Sequence, residues 1–196
     1  QILKNKFIYD GEDIRNYGLI KGLNSARKLG GILLGVNYKN VIANGTSSLN
    51  LTFMAFQALL FTGLNGSPWI NNKKISFLCP VPGYDRHFSL LESMGIKMIN
   101  VPLTGEGPDM DIVEKLTTKD KTIKGIICVP KHSNPTGDIF SAEKIKALAN
   151  IKKENFKVIF DNAYAVHDFD KSKKLPDIEK IFIEHESSVT DVYPIL

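Results

Sequence analysis

The chain has 196 residues, of which 43% are hydrophobic and 23% charged, and its formal net charge at pH 7 is +4. These fractions are ordinary for a soluble globular protein and exclude collagen-like, mucin-like and wholly disordered chains. No apolar run reaches the roughly 18 residues that a membrane span needs, and the first residues form no signal peptide, so a cytoplasmic location without membrane contact is expected. The chain has no initiator Met, and we therefore expect it to begin inside a longer protein.

Two classes of partner are not expected from the distribution of charged and metal-binding residues. The positive charge is spread along the chain and its arginines are few (Arg15, Arg27 and Arg86). Nucleic-acid-binding surfaces use clustered arginine, so no nucleic-acid partner is expected. Cys79 and Cys128 each end an apolar run and are expected to be buried thiols. The histidines show no metal-ligand spacing, so no metal site is expected.

Strand-like apolar runs alternate with helical patterns along the chain. The hydrophobic spacing predicts helices over 22–34, 47–62, 85–94, 110–116, 141–153 and 176–185. It predicts strands over 41–43, 75–79, 96–101, 125–129 and 157–160. Alternation of this kind predicts an α/β fold, with three layers (α/β/α) around a mostly parallel sheet. The first thirty or so residues look like an arm outside that sheet, and residues 1–35 are assigned to this arm and the first helix.

Ligands of open α/β sheets bind beyond the carboxyl ends of the strands, so the residues that follow each strand are the candidate site. The first predicted strand is followed by Gly45, Thr46 and Ser47, which lead into a helix. A glycine, two hydroxyls and a helix N-terminus suit a phosphate group. A plain Ser/Thr helix cap explains the same residues about as well.

Three further strand ends carry polar or aromatic side chains. Tyr84 follows one predicted strand, Asn134 another, and Asp161 with Tyr164 a third. Three of them have an ordinary interpretation: Tyr84 as a partly buried aromatic, Asn134 with Pro135 as a turn, and Asp161 as a loop cap. The convergence of all of them on one sheet edge favours a functional site.

Motifs at these strand ends resemble a known family. Asn-Pro-Thr-Gly at 134–137, followed by Asp-x-Ala-Tyr at 161–164, resembles the fold-type I pyridoxal-phosphate-dependent aminotransferases of class I/II. The stretches GEDIRNYG, NGTSSLNL, FLCPVPGYDRHF, GPDMD, VPKHSNPTG and DNAYAVH resemble one branch, the bacterial aspartate aminotransferases of subgroup Ic. The resemblance spans roughly residues 8–170. It implies that residues 36–196 are part of a pyridoxal-phosphate-binding large domain, and that the C-terminal small domain is absent.

The resemblance assigns roles around the cofactor ring, pyridoxal 5'-phosphate. Asp161 would pair with the protonated ring nitrogen and keep the ring electron-accepting. Asn134 and Tyr164 would hydrogen-bond the 3-oxygen of the ring, and Tyr84 would stack on its face. Asp161 and Tyr164 are thereby the candidate catalytic residues. His87, His132 and His167 lie near this edge without an assigned role.

The resemblance also assigns the phosphate site. Gly45, Thr46 and Ser47 would hold the phosphate. Tyr17 resembles a tyrosine that reaches from one subunit to the phosphate bound by its neighbour. A homodimer is therefore implied for the full-length protein.

One family feature is missing from the sequence, namely the lysine that links covalently to the cofactor. The lysines after Tyr164 do not stand in the expected Ser/Thr-x-x-Lys setting, and no lysine follows the 187–190 stretch. The chain thus looks truncated and is expected to be inactive alone. The lysines concerned are Lys171, Lys173, Lys174 and Lys180.

Three functions remain open from the sequence. The resemblance implies a fragment of an aminotransferase that moves an amino group between aspartate or glutamate and a 2-oxo acid. A non-catalytic domain that kept the cofactor cradle is an alternative, and a pyridoxal-phosphate-dependent lyase on the same fold is another.

Overall fold

The computed structural model describes residues 7–9, 11–13, 15–63, 67–168, 170, 174–187 and 189–192. The helices within these residues are α1 (Asn24–Leu34), α2 (Ser48–Phe61), α3 (Asp85–Ser93), α4 (Met110–Lys119), α5 (Ala142–Ala149) and α6 (Ile178–Glu184). The strands are β1 (Ile8–Tyr9), β2 (Glu12–Asp13), β3 (Ser76–Val81), β4 (Lys97–Pro102), β5 (Ile123–Cys128), β6 (Lys157–Asp161) and β7 (Val189–Val192).

The central sheet is wholly parallel within the described residues. Its strands lie in the order β4-β3-β5-β6-β7. Helices connect successive strands, as parallel pairing requires, because a tight hairpin cannot return the chain in the same direction. β1 and β2 pair with each other in a separate antiparallel sheet.

Two hydrophobic cores lie on opposite faces of the sheet, because successive side chains of a strand point to opposite faces. In β3, Phe77 and Cys79 pack into one core, and Leu78 packs into the other. The first core includes side chains of α2 and α3, among them Phe56, Leu59 and Leu91. The second includes side chains of α4, α5 and α6, among them Val113, Ile145 and Phe182. This confirms the predicted three-layer α/β/α fold.

One predicted strand is wrong, and its error concerns the candidate phosphate loop. Residues 41–43 form no strand. The backbone groups that a sheet neighbour would need are used elsewhere. The carbonyl of Val41 accepts a hydrogen bond from the Arg27 guanidinium at 2.8 Å, and the Ala43 N–H donates to the Lys21 carbonyl at 2.9 Å. The loop at Gly45 therefore follows an extended segment and not a strand of the sheet.

Other boundaries differ by less. The predicted helix over 141–153 ends at Ala149, and the predicted helix over 110–116 continues to Lys119. Both cysteines are buried and unbonded. Burial raises the pKa of the Cys79 thiol to about 12 and that of the Cys128 thiol well above its usual value, so both stay protonated at neutral pH. Among the described residues, no helix is both long and apolar enough to cross a membrane.

Candidate functional site

The candidate site lies at the carboxyl edge of the parallel sheet. β3 ends at Val81, three residues before Tyr84, and β6 ends at Asp161. β5 lies between these two strands, and the segment after it carries Asn134. Because the three strands run in the same direction, the side chains beyond their ends share one edge. The common edge predicted for these three strand ends is therefore present, whereas the fourth predicted strand, residues 41–43, does not form.

A buried carboxylate is the most distinctive group at this edge. Asp161 and His87 have side chains only 4% exposed, and the Asp161 Oδ2 lies 2.9 Å from the His87 Nε2. The other carboxylate oxygen, Oδ1, is buried and has no hydrogen-bond partner within the described residues. A buried oxygen without a partner is costly, because it has lost its water without gaining a donor. Asp161 therefore has one oxygen held by the protein and one free for a donor from a ligand.

His87 is a site residue to which the sequence analysis gave no role. It lies in the first turn of α3, and its ring meets the Tyr84 ring edge-on, with centroids 5.1 Å apart. Residues three apart in a helical turn lie on the same side, so the Tyr84-x-x-His87 spacing was the available signal. His87 follows β3 along the chain and contacts Asp161 at the end of β6, although β5 lies between these two strands. This contact orients the Asp161 carboxylate.

Asn134 and Tyr164 stand on neighbouring segments beyond β5 and β6, and both are half-buried. Tyr164 lies in a pair of turns, in which the Ala165 N–H donates to the Asn162 carbonyl and the His167 N–H to the Tyr164 carbonyl. The His167 ring meets the Tyr164 ring edge-on at 5.7 Å. Both residues therefore stand on segments that leave the carboxyl edge of the sheet, and their contact with a cofactor stays a prediction.

The loop before α2 combines features of both interpretations left open by the sequence. Ser47 is the N-cap of α2, with its hydroxyl accepting from the Asn50 N–H at 3.5 Å, so the helix-cap interpretation is confirmed. Gly45 has a φ of +63°, which favours glycine, and a Cβ there would meet no atom within 4 Å. Thr46 and Ser47 are exposed, next to the free N–H groups of the helix start. A phosphate site here stays a prediction.

Tyr17 and the arginines occupy different environments. Tyr17 is 99% exposed on the arm, so its predicted contact with a neighbouring subunit stays a prediction.

Arg15 is bound to Asp13, with Nη2 and Oδ2 2.5 Å apart, and its guanidinium lowers the pKa of that carboxyl to about 2. Arg27 is half-buried and donates to the carbonyls of Val41, Tyr38 and Lys39. Arg86 is exposed on α3, beside His87.

The lysines that follow the site are only partly described. Lys174 and Lys180 are exposed, Lys180 within α6. Lys171, Lys173 and Ser188 lie outside the described residues. The absence of a lysine suited to covalent linkage therefore stays a prediction.

The arrangement suits a cationic nitrogen heterocycle that also carries a phosphate. The open oxygen of Asp161 can accept a hydrogen bond from a protonated ring nitrogen, and such a pair stabilises the charged form of each partner. Amide and phenol groups at Asn134 and Tyr164 can hydrogen-bond an oxygen substituent of the ring. Pyridoxal phosphate has these groups, so the described residues fit it.

Similarity to known proteins agrees with this geometry. Residues 3–186 match the family model described as aspartate amino-transferase. An aspartate aminotransferase of Corynebacterium glutamicum is 44% identical over 162 residues. The crystal structure of an aspartate transaminase from Corynebacterium glutamicum superimposes with a TM-score of 0.88 at 38% identity, covering 97% of this chain and 46% of that one.

A more distant structure shares the fold alone. An α-aminoadipate aminotransferase of Thermus thermophilus, complexed with N-(5'-phosphopyridoxyl)-L-leucine, superimposes with a TM-score of 0.73 at 21% identity. The superposition covers 94% of this chain and 44% of the Thermus thermophilus chain.

The alignment with the Corynebacterium glutamicum aspartate aminotransferase covers 81% of this chain. The chain spans 38% and 37% of the lengths of two curated relatives that it matches.

Proposed function

The chain belongs to the aspartate amino-transferase family, and we propose from this premise that it forms the pyridoxal-phosphate-binding part of an aminotransferase. Residues 36–196 are proposed to belong to the cofactor-binding domain, and residues 1–35 to an arm with the first helix. The two Corynebacterium glutamicum relatives described above are named as aminotransferases, which favours transamination over the lyase and the non-catalytic domain.

The single observation that carries the proposal is the Asp161 carboxylate. It lies at the end of β6, is nine-tenths or more buried, and has one oxygen held by His87 and the other without a partner. A solvent-facing helix cap or a surface acid would have neither the burial nor the open oxygen. The geometry suits a buried acceptor for the pyridine N–H of the cofactor.

Each residue of the site has a distinct task in this proposal. Pyridoxal phosphate, when bound, supplies an electron sink for the carbanion formed at the substrate Cα. Asp161 keeps a proton on the ring nitrogen, and His87 holds the carboxylate in place. Asn134 and Tyr164 hydrogen-bond the ring 3-oxygen, and Tyr84 covers one face of the ring and excludes water.

The phosphate cradle gives a test that uses two ligands differing only in the phosphate. We expect the full chain to bind pyridoxal phosphate at least about tenfold more tightly than pyridoxal, because the loop at Gly45 to Ser47 adds hydrogen bonds to an anion at a helix N-terminus. Fluorescence titration with each ligand measures the ratio.

The matched variant is Ser47→Ala, which removes one hydroxyl from the cradle. It should lower the preference for the phosphorylated ligand several-fold while leaving the affinity for pyridoxal unchanged. Equal affinity of the unmodified chain for the two ligands would contradict the proposal that the loop at Gly45 to Ser47 binds the phosphate.

The proposed substrates are aspartate or glutamate as amino donor, with 2-oxoglutarate or oxaloacetate as acceptor. A dicarboxylate calls for two cationic anchors, usually arginines with a bidentate fork. Arg15 and Arg27 are engaged within the chain by a carboxylate and by carbonyls, respectively. Arg86 is exposed on α3, beside His87. We therefore place the principal anchor outside residues 1–196.

The choice of donor is tested by steady-state assays of a catalytically active protein that includes this chain. We expect kcat/KM for aspartate to exceed that for alanine or an aromatic amino acid by at least tenfold. The reason is that only aspartate has a second carboxylate, which can form a pair of charge-assisted hydrogen bonds in a buried site. A preference for alanine or for an aromatic donor would overturn the substrate and leave the cofactor proposal intact.

The chain by itself is expected to bind the cofactor without a covalent link. Addition of pyridoxal phosphate and reduction with borohydride should label no single lysine stoichiometrically, as read by peptide mass spectrometry. Specific labelling of Lys171, Lys173, Lys174 or Lys180, together with turnover, would refute this expectation.

The proposed assembly is a cytoplasmic homodimer with small-molecule substrates. Tyr17 favours a second subunit, because its side chain is 99% exposed and free to contact another chain. In that assembly its hydroxyl would reach the phosphate bound at the Gly45 loop of the partner.

A further inference from the structure

Lys131 is a buried cation at the carboxyl edge of the sheet that the proposed chemistry leaves without a task. It follows β5 by three residues and is only 4% exposed. Lysine is almost never buried to this degree unless its ammonium is paired, because desolvating the charge is costly. Its Nζ donates to the Ala165 carbonyl at 2.5 Å and pairs with the Asp168 Oδ1 at 2.7 Å.

Both acceptors belong to the segment that carries Tyr164. This segment leaves β6 at Asp161 and reaches α6 at Ile178. Within it residues 162–167 form turns, and no residue of 162–168 lies in a helix or strand. Turns of this kind open readily unless a tertiary contact holds them. The Lys131 ammonium provides such a contact at Ala165 and Asp168, which follow Tyr164 along the chain.

The segment on which Lys131 itself stands is braced by its own hydrogen bonds. The Ser133 N–H donates to the Asp138 carbonyl at 2.9 Å, and the Phe140 N–H donates to the Pro130 carbonyl at 2.9 Å. Asn134 lies inside this braced loop, three residues after Lys131. A fixed loop that carries both an amide and an anchoring cation can set the position of a neighbouring loop.

We propose that Lys131 is a positioning residue, whose ammonium ties the segment carrying Tyr164 to the loop carrying Asn134 and so sets the spacing of the two groups. The inference rests on the proposed function, since that spacing matters through the ring 3-oxygen that both groups would bind. The hydrogen bond from Lys131 also lowers the pKa of the Asp168 carboxyl, which keeps this acceptor charged at neutral pH.

The first experiment tests the anchoring contact without any cofactor. Hydrogen–deuterium exchange is compared for the full chain, for Lys131→Met and for the matched control Lys152→Met, which alters an exposed lysine. We expect Lys131→Met to speed amide exchange in residues 162–168 by about tenfold or more, with β5 and β6 unchanged. Exchange in Lys131→Met equal to that of the control would overturn the inference. If Lys131→Met loses protection throughout the chain, Asp168→Asn replaces it, and the same two outcomes apply.

The second experiment separates a positioning role from a merely structural one. The absorbance of added pyridoxal phosphate is followed against pH, since a hydrogen bond to the 3-oxygen stabilises its anion and lowers the pKa of the 3-hydroxyl. Tyr164→Phe should move the midpoint upward by about one pH unit, on the scale of a hydrogen bond to a charged group. Lys131→Met should move it in the same direction, and should add nothing in the Tyr164→Phe background.

The outcomes distinguish the two proposals. Fully additive shifts, or no shift in Lys131→Met, would show that Lys131 does not act through Tyr164. Failure of the unmodified chain to take up pyridoxal phosphate would count against the proposed function, and the exchange experiment would still decide whether Lys131 anchors the segment.

Discussion

Replacing Asp161 by alanine is expected to lower kcat by on the order of 10³-fold in a transaminating protein that contains this chain, the scale of losing one preorganised electrostatic contact to developing charge. The carboxylate keeps the ring nitrogen of the cofactor protonated, and without that proton the ring accepts electrons poorly. Affinity for pyridoxal phosphate should fall by only about tenfold, because the phosphate contacts remain. Stopped-flow turnover and fluorescence titration measure the two effects separately.

The matched control is Asp111→Ala, which removes an exposed carboxylate in the first turn of α4. It should leave kcat and affinity within about twofold, as expected of a surface change. Because Asp161→Ala also leaves the buried His87 without its partner, a thermal melt must show that the variant is folded. Wild-type turnover in folded Asp161→Ala would contradict the role of the carboxylate.

Replacing Gly125 by alanine is expected to destabilise the chain by about 3 kcal/mol, the upper range for overpacking a filled core. A Cβ at this position in β5 would lie 2.2 Å from the Lys157 carbonyl oxygen and 2.6 Å from the Phe77 ring. The oxygen belongs to the neighbouring strand β6, so it cannot move away without breaking the sheet. Urea unfolding followed by circular dichroism measures the change.

Gly18→Ala is the matched control for that substitution. A Cβ at Gly18 would meet no atom within 4 Å, and the residue does not have a left-handed backbone conformation. The free energy of unfolding should therefore change by less than about 0.5 kcal/mol. Equal effects of the two substitutions would contradict the tight strand packing at Gly125.

The central layers of the fold could be predicted because their signals are local. In β3, β5 and β6, short apolar runs bounded by turn residues are typical of strands buried on both faces. The error at residues 41–43 came from contacts that no local pattern contains. Val41 there is bonded by Arg27, which is 14 positions away along the chain. β1 and β2 were missed for a different reason, because a strand of two residues is too short to show an alternating pattern.

Only those site residues that a local sequence pattern marks could be predicted. Asp161 could be singled out because it comes immediately after the predicted strand 157–160. Asn134 could be singled out because it lies in the segment after the predicted strand 125–129, whose end shares the same edge of the sheet. His87 could not be given a role, because its partner Asp161 is 74 positions away. Lys131 gave no signal either, since a lysine in a loop is ordinarily exposed. Its acceptors, Ala165 and Asp168, became evident only from the folded arrangement.

The most direct test of the central claim is nitrogen NMR of pyridoxal phosphate labelled at its ring nitrogen and bound to the full chain. If the open oxygen of Asp161 accepts the ring N–H, the nitrogen should show the shift of a protonated pyridine well above the pH at which the free cofactor loses that proton. In Asp161→Ala the shift should return to that of the unprotonated ring. The same shift in both proteins would contradict the assignment of this sheet edge as the cofactor site.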